Sequence, residues 1–327
     1  MRRRLIPIAL AVSAAVALTG CGSGSNPAAA TKTPTASPTA TGPMTPVEWT
    51  GASLPTVTGS YGDKPTISFP KVSAPTQLEK KVLTTGTGPA VAKGDLLVAD
   101  YYGQIWNGKS FDNSYDRAQP VGFRIGAGKV IQGWDDTLVG VTAGSRVLIS
   151  MPPSEGYGAA GNTQAGIAGT DTLVFVVDVV ASFSANATGD PKAVVQKPST
   201  AMPTITGALA TKPTIKIPAG LAKPTKVTTT VLAKGFGAPV GKELAIVQYE
   251  VIDWTGATAA STWTDGAPAG VNVGQAGVTG VFDGLTGIPV GSRVLIEIPA
   301  TSGAGPYAAV VDIVSVVQNA KLTAAGG

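Results

Sequence analysis

The 327-residue chain contains no histidine and a single cysteine, Cys21. The first absence removes imidazole-based acyl transfer, His-ligated zinc or iron, and an imidazole pH switch. The second removes intramolecular disulfides, CxxC redox pairs and Cys-rich metal sites. Carboxylates, hydroxyls, cations and aromatic rings remain, and between residues 101 and 175 they include Tyr101, Phe111, Phe123, Trp134, Tyr157 and Phe175, with Asp112 and Arg117 as charged neighbours. Aromatic walls suit chemistry driven by desolvation and shape, which needs no nucleophile, metal or organic cofactor. Taken singly, each residue also has a plain reading. Trp134, Phe111 and Phe175 read as core aromatics, Asp112 as a turn carboxylate in Phe111-Asp112-Asn113-Ser114, Arg117 as a surface cation and Tyr157 as a loop aromatic between two glycines.

The elements that must position these residues are mostly strands. Gly 42 and Pro 25 make up about a fifth of the chain, so turns are plentiful and long helices excluded. Residues 95–106 are rich in β-formers and end at Asn107-Gly108, a pair suited to a type I′ hairpin turn. Residues 145–151 and 172–183 are β-branched runs, and in the second Leu173, Phe175, Val177 and Val179 share one face by period-two alternation, which predicts that this face looks into the core. Only the segment from Trp134 to Val139, between Gly133 and Gly140, predicts a short helix. The expected architecture is α+β, an antiparallel sheet folded over one brief helix.

That unit occurs twice. Lys64-Pro65-Thr66-Ile67-Ser68-Phe69-Pro70 returns as Lys212-Pro213-Thr214-Ile215-Lys216-Ile217-Pro218, 148 residues later, and Gly144-Ser145-Arg146-Val147-Leu148-Ile149 returns as Gly291-Ser292-Arg293-Val294-Leu295-Ile296, 147 later. Two copies in one order predict tandem domains, at 61–183 and 204–327, joined by a linker at 184–203 that contains Gly189, Pro191 and Pro198.

Ahead of them, Arg2, Arg3 and Arg4 precede an apolar run from Leu5 to Leu18, the order of an export signal at 1–20 and too short to span a bilayer comfortably. Leu18-Thr19-Gly20-Cys21 resembles the lipobox of bacterial lipoproteins, which implies lipidation of Cys21 and attachment to the outer face of the cytoplasmic membrane. Residues 21–60 are then read as the lipidated cysteine and an Ala/Thr/Pro-rich stalk. The formal charge of +4 owes three charges to the signal; without them 21 basic residues face 20 acidic ones, which removes the basis for a nucleic-acid partner.

Several stretches between Leu78 and Ala181 together resemble the FKBP-type peptidyl-prolyl isomerases: Tyr101-Tyr102-Gly103, the run Asn107 to Ser114, Arg117 with Pro120, Phe123-Arg124-Ile125-Gly126, Val130-Ile131-Gln132-Gly133-Trp134-Asp135, Gly156-Tyr157-Gly158 and Leu173-Val174-Phe175. The resemblance implies a tandem, lipoprotein form of that family and a hollow over the helix that accepts a prolyl ring. By it, Trp134 forms the floor, with Tyr101, Phe111, Phe123, Val130, Ile131 and Phe175 as walls. Tyr157 supplies a rim hydroxyl, Asp112 lies near the twisting amide held by Arg117 and Tyr101, the Ile131 amide takes a carbonyl of the bound chain, and Ile167 is the flap residue. The implied catalytic set is Tyr101, Phe111, Asp112, Trp134, Tyr157 and Phe175, with Arg117, Phe123, Val130, Ile131 and Ile167 binding substrate. Proline-containing polypeptides and macrolide ligands are the implied partners. Val121 stands where the family usually carries another aromatic.

The second copy departs from this pattern. Phe111 and Asp112 correspond to Ala259 and Ala260, Ile131 to Thr279, Trp134 to Phe282 and Phe175 to Ala309, while Tyr249 still matches Tyr101. A degenerate, inactive domain is expected there. The competing readings are a non-catalytic envelope binding or chaperone module that recognises extended proline-containing segments, and a β-rich spacer.

Overall fold

The computed structural model describes residues 44–197, 201–274, 280–301 and 304–318. The expected signal, Cys21 and the residues up to 43 lie outside them, as does Thr279. In chain order the first repeat contains β1 (Val47–Glu48), β2 (Thr56–Thr58), β3 (Thr66–Ser68), β4 (Glu79–Thr84), β5 (Leu96–Ile105), β6 (Ser110–Asn113), β7 (Val121–Arg124), α1 (Gln132–Leu138), β8 (Arg146–Met151) and β9 (Leu173–Phe183). The second contains β10 (Val194–Val195), β11 (Thr204–Thr206), β12 (Thr214–Lys216), β13 (Thr228–Lys234), β14 (Leu244–Asp253), β15 (Thr258–Ser261), α2 (Thr262–Asp265), β16 (Ala269–Asn272), β17 (Arg293–Ile298) and β18 (Tyr307–Val317).

Alternation of large apolar side chains builds the long strands and decides which way they face. In β9, Leu173, Phe175, Val177 and Val179 point into the main core with Leu97, Ala99 and Tyr101 of β5, as their spacing predicts. The first sheet runs β1-β4-β8-β9-β5-β6, with β7 also paired to β5; the second runs β10-β13-β17-β18-β14-β15, with β16 also paired to β14. Strand for strand the two orders are the same. Pairing is antiparallel throughout except that β1 runs parallel to β4, so the first sheet is mixed where a purely antiparallel one is expected. Helix α1 begins two residues before its predicted start, at Gln132, and lies across the inner face with Trp134 and Leu138 fully buried. In the second repeat a 3-10 turn at Asp283–Leu285 stands in its place rather than the expected α-helix.

Two boundaries differ from the sequence reading. Trp49 is completely buried against Leu148, Val174 and Val176, and β1 and β2 fall within 44–60, so this part of the expected stalk is folded onto the first sheet. A lone tryptophan in Thr/Pro/Gly-rich surroundings carries no periodic signal, and its partners are remote in sequence. The expected linker 184–203 likewise contains β10, paired with β13, and the Asp190 amide donates to the Gly291 carbonyl at 3.1 Å. The Asn107-Gly108 turn is not type I′: the bond from the Gly108 amide to the Ile105 carbonyl puts Trp106 and Asn107 at its centre, and only Asn107 has positive φ, at 52°.

The repeated motifs now have a physical reason. Arg146, on β8, is buried and forms a two-pronged ion pair with Asp178 of β9, Nε to Oδ1 at 2.6 Å and Nη2 to Oδ2 at 2.7 Å, while Nη1 and Nη2 also donate to the carbonyls of Gly59 and Asp63 in the β2–β3 turn. Arg293 does the same with Asp312 and the carbonyls of Ala208 and Thr211 in the β11–β12 turn. Each arginine clamps a hairpin onto the outer face of its own sheet, and Ile67 and Ile215, from the repeated Lys-Pro-Thr-Ile, bury themselves beneath those hairpins.

Candidate active site

Trp134 stands at the centre of the site. As the third residue of α1 it projects against the inner face of the first sheet, with Tyr101 at 5.3 Å, Phe175 at 5.2 Å and Phe123 at 4.7 Å between ring centroids. The Tyr101 and Phe175 contacts are edge-on, at 78° and 76°, the arrangement that sets a ring edge against a ring face. Phe111, half-buried on β6, packs edge-on against Phe175 at 5.5 Å and 83°. Val130, Ile131, Ile167 and Tyr157 belong to the same buried cluster. The aromatic residues singled out in the sequence therefore come together around Trp134. Ile167 is 3% exposed, packed in this core, with its loop closed by paired backbone bonds to Asn162. Among the described residues the Trp134 indole N–H has no hydrogen-bond partner.

The polar members meet at one edge of this box. The Tyr101 phenol donates to Asp112 Oδ2, Arg117 Nη1 donates to Asp112 Oδ1 at 2.7 Å, and Arg117 Nη2 donates to the Tyr101 oxygen at 3.0 Å. Arg117 also lies 5.7 Å from the Tyr101 ring centroid. The carboxylate is thus gripped on both oxygens and faces the apolar box, with 14% of its side chain still exposed. Burial, then the neighbouring Asp112, pushes the Tyr101 phenol far above its usual range, with Arg117 opposing in part. Tyr157 is raised as well, chiefly by burial and also by the Asp112 charge, with a hydrogen bond involving Asn162 opposing. Both phenols are therefore neutral donors at physiological pH.

Backbone clamps hold these groups in register. The Ser114 hydroxyl accepts from the Tyr101 amide at 2.9 Å and donates to buried Asp100 at 2.7 Å, tying β6 to β5. Before α1, the amides of Gly126 and Gly128 donate to the two oxygens of Asp135 at 2.6 and 2.7 Å, and both glycines need positive φ to do so. This fixes the approach to Val130 and Ile131.

One residue escaped the sequence reading as a site member. A Cβ on Gly103 would lie 2.7 Å from Phe111 Cζ and 2.8 Å from Phe175 Cε1, so the two rings can sit over β5 only because position 103 is glycine. The signal was present as a pair: where Gly103 faces Phe175 across strands, Val251 faces Ala309 in the second repeat, and Phe111 gives way to Ala259. There the strand supplies the bulk that the rings supply here, and Val251 and Ala309 are buried together in the second core.

Comparison with known proteins places part of the chain in a family. Residues 88–180 match the family model described as FKBP-type peptidyl-prolyl cis-trans isomerase. An FK506-binding protein of Streptomyces anulatus is 37% identical over 120 residues, which span 36% of this chain and 97% of that protein. The chloroplastic peptidyl-prolyl cis-trans isomerase FKBP13 of Arabidopsis thaliana is 44% identical over 96 residues, covering 27% of this chain and 44% of that protein. The crystal structure of FkpA from Escherichia coli aligns with 37% identity and a TM-score of 0.31 over 33% of this chain and 49% of that one. Through this stretch the chain belongs to the FKBP-type peptidyl-prolyl cis-trans isomerases.

Proposed function

We propose that the first repeat is the seat of the isomerase activity, with Trp134, Tyr101, Phe111 and Phe175 enclosing the prolyl ring, Asp112 beside the rotating amide, and Phe123, Val130, Ile131, Ile167 and Arg117 shaping the rest of the substrate site. The observation that carries this reading is the Asp112 carboxylate held by Tyr101 and Arg117 at the rim of the aromatic box. Rotation about an Xaa-Pro bond faces a barrier of about 18–20 kcal/mol because amide resonance is lost in the twisted state. The planar amide owes its stability to charge separation that water solvates well. Transfer into a box of aromatic rings weakens that solvation, and walls shaped for the twisted form favour it over both planar isomers. No covalent intermediate is needed. In this reading neutral Tyr157 donates to a substrate carbonyl, and macrolides that bind this family would compete for the same box.

The second repeat is read as a degenerate FKBP-like domain without isomerase activity. Support comes from the shared strand order and from the absence of Phe111, Asp112 and Phe175 equivalents. The tandem domains would fold from about Met44 to Phe183 and from Val194 onward. We further propose an exported protein, lipidated at Cys21 and tethered to the outer face of the cytoplasmic membrane, that assists the folding of proline-containing polypeptides there. Replacing Cys21 with serine should release the protein from membranes; retention would remove the tether from this reading.

The decisive experiment is the rate of cis/trans isomerisation of Xaa-Pro peptides by the full chain beside Asp112→Ala and Trp134→Leu variants that keep their circular dichroism. A loss of about 10-fold or more in kcat/KM is expected for each, as for removal of a group that acts in the transition state. Unchanged rates in both folded variants would move the activity out of this box.

A further inference from the structure

Beside its clamped hairpin, part of the outer face of the first sheet packs on the second repeat, and the two surfaces that meet come from corresponding strands. Leu96 and Val98 of β5 with Val180 of β9 pack against Leu244 and Ile246 of β14 with Val317 of β18. Leu96 and Leu244 hold the same position in their repeats, as do Val98 and Ile246, so each side contributes the same patch, the arrangement expected about a two-fold axis. Gly122 and Gly270 are also equivalent, and they meet: a Cβ on Gly122 would lie 3.6 Å from Gly270 Cα. With no side chain at either position, β7 and β16 approach each other closely there.

This contact lands on the strand that carries a wall of the aromatic box. Within its own sheet β7 is four residues long and pairs only with β5. Alternation turns Phe123 inward, 4.7 Å from Trp134, and turns its neighbours Gly122 and Arg124 outward onto the second repeat. There Arg124 Nη1 donates to the carbonyl of Asp265, the last residue of α2. Val121 to Arg124 are therefore held from behind by Gly270, the Asp265 carbonyl and the Leu244 side of the interface.

We propose that the second repeat is a positioning element for the first repeat's prolyl site: by backing β7 it sets the depth of Phe123 against Trp134, and hence the affinity for substrate. The inference rests on the assignment of Phe123 to the substrate site. It gives the inactive copy a task that requires its scaffold and none of its lost chemistry.

Full-length chains carrying Arg124→Ala, Gly270→Leu or Leu244→Asp with Ile246→Asp test it, with Phe123→Ala as the reference. None of the first three changes a residue that touches the box. The expected result is a rise in KM of about 3- to 10-fold with kcat within about two-fold, the pattern of weakened binding that a general loss of stability would not give well below the melting temperature. Arg124→Ala and Gly270→Leu should be non-additive, because they disturb one contact. If Phe123→Ala raises KM while all interface variants leave it unchanged, the positioning role is overturned and the site assignment stands. An unchanged KM in Phe123→Ala overturns the site assignment and the positioning role with it. Should the charged double variant fail to fold, the two single variants still decide between these outcomes.

Discussion

The two repeats keep the same frame and differ in what the frame holds. Both bury an arginine–aspartate pair that clamps a hairpin turn, both tie a tyrosine amide to a hydroxyl thirteen residues on, Ser114 or Thr262, and both cap an aspartate with glycine amides, Asp135 by Gly126 and Gly128, Asp283 by Gly274 and Gly280. Among the described residues the aromatic box is present only in the first. In the second, Ala259 and Ala309 replace two rings, Val251 occupies the strand position those rings required to be glycine, and Asp265 stands where Arg117 grips Asp112. The frame and the aromatic box use nearly separate residue sets, so the frame is kept where the rings are replaced.

The largest effect should come from breaking the shared frame. Arg146→Ala leaves Asp178 buried without its ionic partner, with the Tyr115 hydroxyl and the Gly62 amide still donating to it, and it removes the guanidinium bonds to the Gly59 and Asp63 carbonyls. Removing one partner of a buried pair costs about 3–5 kcal/mol, so chemical denaturation should show a loss of that order. Arg293→Ala should cost a similar amount, and it should do so with a smaller effect on isomerisation rate, because its hairpin lies on the repeat that lacks Phe111, Asp112 and Phe175. Replacing both members, Arg146→Met with Asp178→Leu, should recover a large part of the loss in stability. A single-variant loss below about 1 kcal/mol, the range of surface pairs, would mean that the clamp contributes little.

What the sequence discloses follows the range of the interaction. The inward face of β9 is legible from alternation, and the aromatic floor and the Asp112–Arg117–Tyr101 cluster from an ordered set of motifs. The clamp itself is visible only as a recurring Gly-Ser-Arg, because its partners at 59, 63 and 178 are dispersed along the chain. Trp49 and β1 disappear into stalk-like composition for the same reason. In the second repeat the substitution of Phe282 for Trp134 signals a changed site, yet it does not reveal that the helix gives way to a 3-10 turn. That outcome depends on how Gly280 to Leu285 pack beneath the second sheet.

A next, smaller effect separates the repeats at their reciprocal position. Gly103→Val introduces into the first repeat the residue that fills the second, and with Phe111 and Phe175 still present the branched side chain would overlap both rings. Overpacking of this kind costs about 1–3 kcal/mol and should displace Phe111 first, since it is the more exposed of the two. Isomerase activity should fall by about 30- to 100-fold, following the loss of a close-fitting wall. Val251→Gly should create no activity, because the second repeat lacks the rings that would use the space. Wild-type turnover by Gly103→Val would show that Phe111 and Phe175 do not enclose substrate.

The mildest difference should appear in alkali. Tyr101 and Tyr249 are equivalent, and burial raises both, but Tyr101 lies between Asp112 and Arg117 whereas Tyr249 has Asp265 nearby. A phenol whose folded pKa lies above its unfolded value of about 10 stabilises the fold fully below that value and loses the contribution as pH rises through the folded pKa. With no histidine to titrate and both site tyrosines shifted upward, kcat/KM should vary by less than about two-fold between pH 6 and 9. Thermal stability should decline above about pH 10. Tyr249→Phe should soften that alkaline decline without changing the activity profile, while Tyr101→Phe should soften it and also lower kcat/KM, because its hydroxyl no longer holds Asp112. If both substitutions lowered kcat/KM alike, the second repeat would be acting on catalysis through its own former site as well as through its contact with β7.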